Sequence, residues 1–271
     1  MIMKKVCVSF LLFYSLSFIF SLERIVSLSP AGTEILYAIG AGNKIVARTD
    51  FCDYPAEVKA VPSCGGFDGK ALSLETIISY KPDFVFGSKG MHDFMEPALS
   101  RLGIELYLSE TDSILAIYKE IIYLGNKTSC SEQALRLVAE LSEGFEKIRK
   151  ASENKAPLKV YWETWNAPYM SVGGTSFINE VIEIAGGKNI FSFLTQSYPM
   201  VSEESVLAGK PDVIIIQSDS PVTVEDVLGR KVWKRIPAVK NRKVYKVPSD
   251  VVSRPGPRLL EACERLASLL E

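Results

Sequence analysis

Apolar residues follow two alternating periods along this chain, one typical of buried strands and one typical of amphipathic helices. Short apolar runs predict strands at 24–30, 44–48 and 83–88, and helical spacing predicts helices at 33–42 and 72–80. The first helix is expected to begin at Thr33 and to end at Gly40, whereas residues 50–70 are rich in Gly, Pro and Asp and predict a loop. Strands that alternate with helices in this way predict βαβ units and a parallel sheet.

The second half of the chain repeats the first. Residues 72–86 and 201–215 align without a gap, with a shared S-x-E pattern and a shared Lys-Pro-Asp at 81–83 and 210–212. Lys-Pro-Asp is a common connector in helix–turn–strand units, so by itself it would be weak evidence. Because both patterns recur at one spacing, we interpret the chain as a duplicated lobe.

The longest helical pattern lies between the two repeats. Ser129-x-x-Glu132 resembles a capping box, and about 22 residues at about 1.5 Å each would span about 33 Å. A helix of this length suits a rigid connection, since a flexible hinge would carry Gly, Ser or Pro. The sequence therefore predicts an α/β fold of two Rossmann-like lobes with parallel-type sheets, at 22–128 and 156–271, joined by one backbone helix over 129–155.

The first 21 residues differ in composition from the rest of the chain. Lys4 and Lys5 precede an uncharged apolar run at 6–20, and Ser21 is a small residue at a plausible cleavage position. This pattern predicts a cleaved signal peptide over 1–21 and an exported mature chain. An uncleaved membrane anchor is the alternative interpretation.

Charge and cysteine content exclude some classes of function. The chain has 31 Lys and Arg residues against 32 Asp and Glu, so it lacks the basic surface that nucleic-acid binding requires. Cys52 and Cys64 are twelve residues apart in the predicted loop, and whether they form a disulfide stays open. No Cys-x-x-Cys is present to indicate a zinc or iron–sulfur site.

Signals for catalysis are few. A Ser-His-Asp triad would have to use His92, the only histidine, and no G-x-S-x-G accompanies it. The glycine-rich segment at 172–176 lacks the lysine of a phosphate-binding loop. Glu163 lies between two tryptophans as a glycosidase carboxylate would, but no second carboxylate partners it. We therefore expect no enzyme and no catalytic residue, with a secreted hydrolase as the remote alternative.

The chain also has few residues that could bind a metal ion. A zinc or manganese receptor would need several histidines together with Asp or Glu, so we expect no metal site. His92 or a tyrosine is the remaining candidate for an axial haem ligand. The competing interpretation of His92 is an ordinary loop histidine.

Aromatic residues in predicted loops are more informative. The loop segments carry Phe51, Phe67, Trp165, Tyr169 and Tyr198. Loops that follow parallel strands meet at the carboxyl edge of the sheet, where ligands bind. Because aromatic rings bury large areas with few rotatable bonds, they suit a flat, mostly uncharged ligand held in a cleft.

Several motifs identify a family resemblance that covers residues 23–271. They are S-x-S-P-x-x-T-E at 27–34, D-Y-P at 53–55, L-E…K-P-D at 74–83, G-G-x-N-I at 186–190 and S-D-x-x-x-R-x-x-P-R at 249–258. With the predicted signal peptide, they resemble the class III substrate-binding proteins of ABC importers. That resemblance implies a periplasmic monomer that holds a small ligand between two lobes and delivers it to an ABC permease dimer at the inner membrane.

The resemblance is strongest to the cobalamin-binding members of the family. It implies cobalamin as the transported ligand rather than a resident cofactor, with a ferric siderophore or haem as the alternative. Phe51 and Tyr198 match stacking positions, Asp250 and Arg254 match polar ligand contacts, and Phe67 and Tyr169 are the further ligand-binding candidates.

Two positions depart from the cobalamin-binding pattern. Ser88 stands where those proteins have a cleft tryptophan, which bears on ligand identity. Ala185 stands where enterobacterial members have a cysteine that could bridge to the position of Cys263, so this disulfide is not expected.

Glu75 and Glu204 are the candidates for docking onto the transporter. Each lies in the first turn of a predicted helix, where an acid also favours the helix dipole. The duplication places one carboxylate at the same position of each lobe, which suits a two-fold symmetric partner. The family resemblance implies the same role.

Overall fold

The computed structural model describes residues 21–66 and 72–271. The predicted signal peptide, apart from Ser21, lies outside the described residues, and so does the ligand-binding candidate Phe67. Strands lie at β1 (Ile25–Ser27), β2 (Ile45–Arg48), β3 (Phe84–Ser88), β4 (Glu105–Ser109), β5 (Leu158–Glu163), β6 (Trp165–Asn166), β7 (Tyr169–Met170), β8 (Gly187–Asn189), β9 (Val213–Gln217) and β10 (Val244–Val247). Helices lie at α1 (Pro30–Ala38), α2 (Leu74–Ser79), α3 (Glu96–Arg101), α4 (Ile114–Lys127), α5 (Ser131–Ser152), α6 (Phe177–Ile184), α7 (Glu203–Gly209), α8 (Val224–Gly229), α9 (Pro237–Lys240), α10 (Ser249–Val252) and α11 (Leu259–Leu269).

Each lobe contains a four-stranded parallel sheet. The strand order is β2-β1-β3-β4 in the N-terminal lobe and β8-β5-β9-β10 in the C-terminal lobe. In each sheet the strand that comes first along the chain, β1 or β5, pairs with the second, β2 or β8, and with the third, β3 or β9. The fourth strand of the sheet, β4 or β10, lies at one edge. The two sheets therefore share one topology, and the predicted α/β fold class is confirmed.

The long helix of the fold is α5, which has 22 residues. Its length matches the prediction, but the proposed capping box is wrong. Ser129 adopts a left-handed conformation with φ of 61°, and the helix follows Cys130 without a side-chain cap. The chain turns tightly between α4 and α5, so Ser129 forms part of this turn and cannot accept from the first turn of α5. The hydroxyl of Ser131 instead donates to Asn126.

The first helix begins three residues earlier than the sequence predicts. Pro30 occupies its first position, where a missing N–H costs nothing because the first N–H groups of a helix have no intrahelical partner. Thr33 lies inside the first turn, and its hydroxyl donates to the Ser27 hydroxyl at 2.8 Å. A Cβ at Gly32 would lie 2.3 Å from the Phe86 ring, so α1 packs directly on β3.

The repeated Lys-Pro-Asp has the same role in both lobes. Asp83 accepts from the backbone N–H of Arg24 at 3.2 Å, and Asp212 accepts from that of Lys159 at 2.9 Å. Each aspartate therefore fixes the start of the first strand of its own lobe. Lys81 and Lys210 ahead of them have φ of 48° and 47°, so the turns have matching backbone geometry. The duplication seen in the sequence is present in three dimensions.

One apolar core runs through both lobes. It joins the inner faces of both sheets through side chains of the long helix, such as Leu141 and Phe145, and of α11, such as Leu266. Two further clusters lie on the outer faces of the sheets, one in each lobe. Since the shared cluster is continuous, the lobes are held together by packing as well as by chain connection.

Candidate ligand-binding cleft

The candidate site lies at the carboxyl edges of the two sheets. In each sheet the strand order reverses between the first and third strands, so the chain leaves these two strands in opposite directions. A crevice therefore opens between their carboxyl ends. Phe51 follows β2, Trp165 follows β5, and Asp250 follows β10. The topology thus gathers candidates from distant parts of the sequence at one end of each lobe.

Exposed aromatic rings lie at these edges in both lobes. Phe51 is 56% exposed, and Trp165 and Tyr198 are each 43% exposed. The indole N–H of Trp165 donates to the Ala167 carbonyl at 3.1 Å, so this ring is anchored at one side. Large aromatic rings exposed at the carboxyl edge of a sheet provide the stacking surface that a flat ligand needs.

Two exposed aromatic residues in or near the family motifs were missed by the sequence analysis. Phe193 follows β8 and is largely exposed, and Tyr54 lies with its ring 4.2 Å from the guanidinium carbon of Arg258. Phe193 follows the G-G-x-N-I motif by three residues, and Tyr54 is inside D-Y-P. Their position inside or just beyond these motifs is the signal that would have identified them.

The loop that carries Tyr198 is held by backbone hydrogen bonds to a glycine-containing segment. The N–H groups of Ser171 and Gly173 donate to Pro199 and Ser197, so residues 171–173 run beside this loop. A Cβ at Gly173 would lie 1.9 Å from the Gln196 carbonyl oxygen, so only glycine permits the close approach. The glycine-rich segment at 172–176 therefore positions the Tyr198 loop.

Tyr198 and Tyr169 differ in their surroundings. Tyr198 is 43% exposed, and burial of its hydroxyl raises its pKa, partly opposed by a hydrogen bond with Ser176. Tyr169 is half-buried, and its ring lies 5.1 Å from the Arg230 guanidinium carbon and 5.7 Å from the Trp233 ring. Tyr169 is thus packed into the wall of the C-terminal lobe rather than presented as an open stacking face.

The glycosidase candidate Glu163 is unsuited to acid–base catalysis. It is fully buried, and both carboxylate oxygens accept from Arg230, at 2.6 and 2.7 Å. Arg230 also stacks on Trp233, whose indole N–H donates to Glu203 at 2.8 Å. Because these contacts occupy the carboxylate, Glu163 acts as the buried anchor of an ion pair at the end of β5.

Asp250 and Arg254, the polar ligand-binding candidates, form an ion pair with each other. Arg254 donates to Asp250 at 2.6 Å and also reaches Asp53 and Glu34 of the N-terminal lobe, at 2.7 and 3.0 Å. Burial works to lower the pKa of Arg254, but its hydrogen bonds to Asp53 and Glu34 outweigh that effect and raise it. These contacts connect the lobes at one end of the cleft.

His92 is fully buried beneath the end of β3. Its Nδ1 accepts from the backbone N–H of Ser88 at 2.8 Å, which places the proton of a neutral ring on Nε2. A Cβ at Gly87 would lie 3.0 Å from the His92 Cβ, so the ring packs tightly under the strand. The histidine is therefore an interior residue of the N-terminal lobe and offers no exposed face to a ligand.

The cysteines of the described chain are free thiols. Cys64 donates to the Arg48 carbonyl at 3.1 Å, and burial raises its pKa to about 12. Cys52 lies 3.3 Å from the Thr49 hydroxyl, and Cys263 donates to the Val181 carbonyl. Within residues 21–66 and 72–271, no group of three or more His, Cys, Asp and Glu side chains could hold a metal ion.

The docking candidates occupy matching positions. Glu75 and Glu204 are exposed in the first turns of α2 and α7. Ser73 and Ser202 cap these helices by accepting from Thr76 and Ser205, at 3.3 and 3.2 Å. Because a helix that leads into a parallel strand runs back across the sheet, both first turns lie toward the carboxyl edges that form the cleft.

Comparison with known proteins gives a consistent result. The periplasmic binding protein family matches residues 25–251. The vitamin B12-binding protein of Vibrio vulnificus strain YJ016 is 30% identical over 274 residues, which cover 98% of each chain.

Two solved structures have the same fold. The periplasmic vitamin B12 binding protein BtuF of Vibrio cholerae has a TM-score of 0.76 and 28% identity, covering 92% of this chain and 96% of that chain. A structure from Staphylococcus epidermidis ATCC 12228, described as a possible iron-binding (periplasmic solute-binding) protein, has a TM-score of 0.81 and 29% identity. It covers 92% of this chain and 98% of that chain.

Proposed function

The chain belongs to the periplasmic binding protein family, and on that premise we propose that it captures a corrinoid of the cobalamin type in its interlobe cleft. The bound ligand is handed to an ABC permease dimer at the inner membrane. The protein acts as a periplasmic monomer without enzymatic activity and without a resident cofactor. The names and near-complete coverage of the similar proteins support this function.

The observation that carries the ligand proposal is the exposure of aromatic rings at the carboxyl edges of both lobes. Phe51 contributes from the N-terminal lobe, and Trp165 and Tyr198 contribute from the C-terminal lobe. A planar macrocycle placed between the lobes would cover rings from both sides and remove their apolar surface from water. Phe67 remains a further candidate for this surface.

The corrinoid is held by stacking and hydrogen bonds, without a protein ligand to cobalt. The only histidine of the chain is His92, which is fully buried and already accepts from the Ser88 N–H. Bound cyanocobalamin should therefore keep the absorption spectrum of the free molecule. A spectral change that His92→Ala abolished would contradict this arrangement.

Calorimetric titration with cyanocobalamin, haem and a ferric hydroxamate tests the ligand class. We expect cyanocobalamin to bind most tightly and Phe51→Ala or Tyr198→Ala to weaken it about tenfold, because each removes one stacking surface. Leu102→Ala is the matched control, since Leu102 is equally exposed but ends α3 at the opposite edge of the sheet. Tightest binding of another ligand would overturn the assignment.

A ferric siderophore or haem is the second candidate. The resemblance to the Staphylococcus epidermidis structure, with its iron-binding description, favours keeping it. In addition, Ser88 at the end of β3 stands where the cobalamin-binding members have a tryptophan. The same titration separates the two functions.

Export to the periplasm rests on the predicted signal peptide at 1–21 and on the relatives. Across residues 21–66 and 72–271, no helix has the length and apolar character to cross a membrane. Mass spectrometry of the protein recovered from the periplasm of the native host should find a chain that begins after Ser21. A full-length chain in the membrane fraction would favour an uncleaved anchor.

Glu75 and Glu204 dock the protein onto the permease. Both carboxylates are exposed on the cleft side of their lobes, one from each copy of the repeat. Hydrogen bonds from its own N–H and from Ser202 lower the pKa of Glu204, so it is ionised at neutral pH. Charge pairs of this kind set register and encounter rate more than raw affinity.

The double variant Glu75→Arg/Glu204→Arg tests docking. Uptake should fall at least tenfold while ligand affinity and melting temperature stay close to wild type. Glu132→Arg is the matched control, because Glu132 is also an exposed acid in the first turn of a helix. Normal uptake by the double variant would leave both glutamates with a helix-stabilising role only.

A further inference from the structure

Two cysteines of the N-terminal lobe lie in segments of the chain that meet at the end of β2. Arg48, the last residue of β2, forms a parallel bridge with Ser63, and its carbonyl accepts from the Cys64 N–H at 2.7 Å. Cys52 returns to the same place through a tight turn, since its N–H donates to the Thr49 carbonyl at 3.1 Å. Backbone hydrogen bonds therefore hold both cysteines beside the same two residues.

The two thiol groups are buried at this place. Cys52 is 0% exposed and Cys64 is 5% exposed. The Cys64 thiol donates to the Arg48 carbonyl at 3.1 Å, and the Cys52 sulfur lies 3.3 Å from the Thr49 hydroxyl oxygen. Because these partners belong to consecutive residues, the two sulfur atoms are near neighbours. The raised pKa of Cys64 agrees with this, since electrostatic repulsion from Cys52 adds to the effect of burial.

Two other uses of paired thiols do not fit this site. A metal ion would need further ligands, and within residues 21–66 and 72–271 no group of three or more His, Cys, Asp and Glu side chains could supply them. A reactive cysteine would need an accessible thiolate with a lowered pKa, whereas Cys64 is buried and its pKa is raised to about 12. A structural cross-link is the use that remains.

We propose that Cys52 and Cys64 are the site of a structural disulfide that forms while the exported chain folds. The structure shows the two thiols in their reduced form. Each thiol loses one proton and one electron as the S–S bond forms, and a protein disulfide of the periplasm takes up both electrons and both protons to become a dithiol. The bond forms during folding because both thiols are buried, out of reach of a protein oxidant, once the lobe is complete.

The disulfide has a consequence for the cleft. A covalent link between residues 52 and 64 lowers the conformational entropy of the unfolded chain and so stabilises the folded lobe. The linked segment contains the D-Y-P motif at 53–55, and the stacking candidate Phe51 lies directly before it. The link therefore holds the backbone beside Phe51 in its folded position before a ligand arrives, which lowers the cost of ordering this wall on binding.

Refolding of the reduced mature chain tests the pairing. The chain is diluted from urea into a buffer of oxidised and reduced glutathione, free thiols are alkylated, and tryptic peptides are identified by mass spectrometry. Trypsin cleaves at Lys59, so the disulfide should join peptides 49–59 and 60–70, while Cys130 and Cys263 are alkylated. Alkylation of all four cysteines, or disulfides spread over all pairings, would overturn the proposal.

Melting temperature tests the structural role. Protein refolded in the glutathione buffer should melt about 5–10 °C above protein refolded with a reductant. Cys64→Ala should melt at one temperature under both conditions. Cys263→Ala is the matched control and should keep the difference, because Cys263 is also a buried thiol whose pKa is raised to about 12. A wild-type difference near zero, or an equal difference in Cys64→Ala, would contradict a structural disulfide.

This proposal rests on export, which is part of the proposed function, but not on the identity of the ligand. The two can fail separately. Absence of the chain from the periplasm would make the localisation wrong, and refolding would still decide the pairing. A mature periplasmic chain in which Cys52 and Cys64 are both alkylated would overturn the disulfide and leave the localisation intact.

Discussion

At matching positions of the two lobes, the N-terminal lobe has Leu28, directly after β1, and the C-terminal lobe has Glu163, the last residue of β5. The match follows from the ladders, in which Ile25 pairs with Phe84 and Val160 pairs with Val213, the same position of the repeat. Leu28 packs into an apolar cluster on the outer face of its sheet, whereas Glu163 is neutralised by Arg230. Both side chains are fully buried.

The helices that carry the docking candidates differ in the same way. The residue after the capping serine is Leu74 in α2 and Glu203 in α7. Leu74 packs against the apolar cluster of its lobe, whereas Glu203 accepts from the Trp233 indole at 2.8 Å. Through Trp233 and Arg230, α7 is connected to the buried end of β5.

The difference between the lobes shows which positions the duplication constrains. Residues that bond to the backbone, such as Asp83 and Asp212, have kept their identity, because the strand starts need them. Buried side-chain positions changed together, from apolar contacts in one lobe to an ion pair with aromatic neighbours in the other. Such a change is tolerated because a fully paired buried ion pair and an apolar contact have similar net stability.

Breaking the Glu163–Arg230 pair should have the largest effect. Arg230→Met leaves a fully buried carboxylate without its partner, so we expect a loss of about 3–5 kcal/mol in the free energy of unfolding, measured by urea denaturation. The double variant Glu163→Leu/Arg230→Met introduces the residue of the N-terminal lobe. It should recover most of the loss.

Two outcomes would break the comparison of the lobes at this position. A single variant within about 1 kcal/mol of wild type would mean that the ion pair does not replace an apolar contact. A double variant no more stable than the single variant would mean that the C-terminal lobe cannot accept the apolar arrangement of its counterpart.

The N-terminal lobe has a buried acid of its own, Glu120 of α4, which lacks a basic partner. It is 2% exposed, and neither carboxyl oxygen has a hydrogen-bond partner within the described residues. Burial raises its pKa from 4.5 to about 7. Glu120 and Glu163 therefore represent two ways to bury a carboxyl group: in one lobe burial raises the pKa of an acid without a basic partner, and in the other an arginine pairs with the carboxylate.

This arrangement predicts a pH dependence of stability. Between pH 4.5 and about 7 the unfolded chain loses the Glu120 proton while the folded chain keeps it, so stability falls as pH rises. The fall amounts to at most about 3 kcal/mol, and the contribution is intact below pH 4.5. Glu120→Gln cannot ionise and should flatten this part of the curve from urea titrations.

Glu105→Gln is the control for the pH curve, because Glu105 is half-exposed and paired with Lys127. Its curve should keep the fall between pH 4.5 and 7. If the Glu120→Gln curve keeps it too, Glu120 is ionised in the folded chain, and the contrast with Glu163 disappears.

Much of the frame was readable from the sequence. The period of apolar residues predicted the strands of the parallel sheets and the long helix, since these elements depend on local pattern. The similarity of residues 72–86 and 201–215 predicted two lobes of the same kind. The start of α1 at Pro30 was missed because the helical pattern becomes visible only at Thr33. The Ser129 capping box failed because the tight turn before α5 forces a left-handed conformation there.

The candidate site was only partly readable. Aromatic residues in predicted loops gave Phe51 and Tyr198 as candidates, and the family resemblance gave Asp250 and Arg254. The structure places Phe51 and Asp250 after strands that end at the carboxyl edges of the sheets. Contacts between lobes could not be predicted, since Glu34 and Arg254 are 220 residues apart and nothing local links them. The packing of Tyr169 against Arg230 was hidden for the same reason.

The smallest expected effect concerns the two aspartates that fix the strand starts. Asp83→Ala and Asp212→Ala should each cost about 1–2 kcal/mol in urea denaturation, because each leaves backbone N–H groups without a charged acceptor. Asp83 also accepts from the Glu23 N–H at 2.9 Å, so its variant should lie at the upper end. Substitution by Asn keeps an acceptor and should cost less than half as much. A large loss at one aspartate and none at the other would show that the shared sequence no longer has a shared structural role.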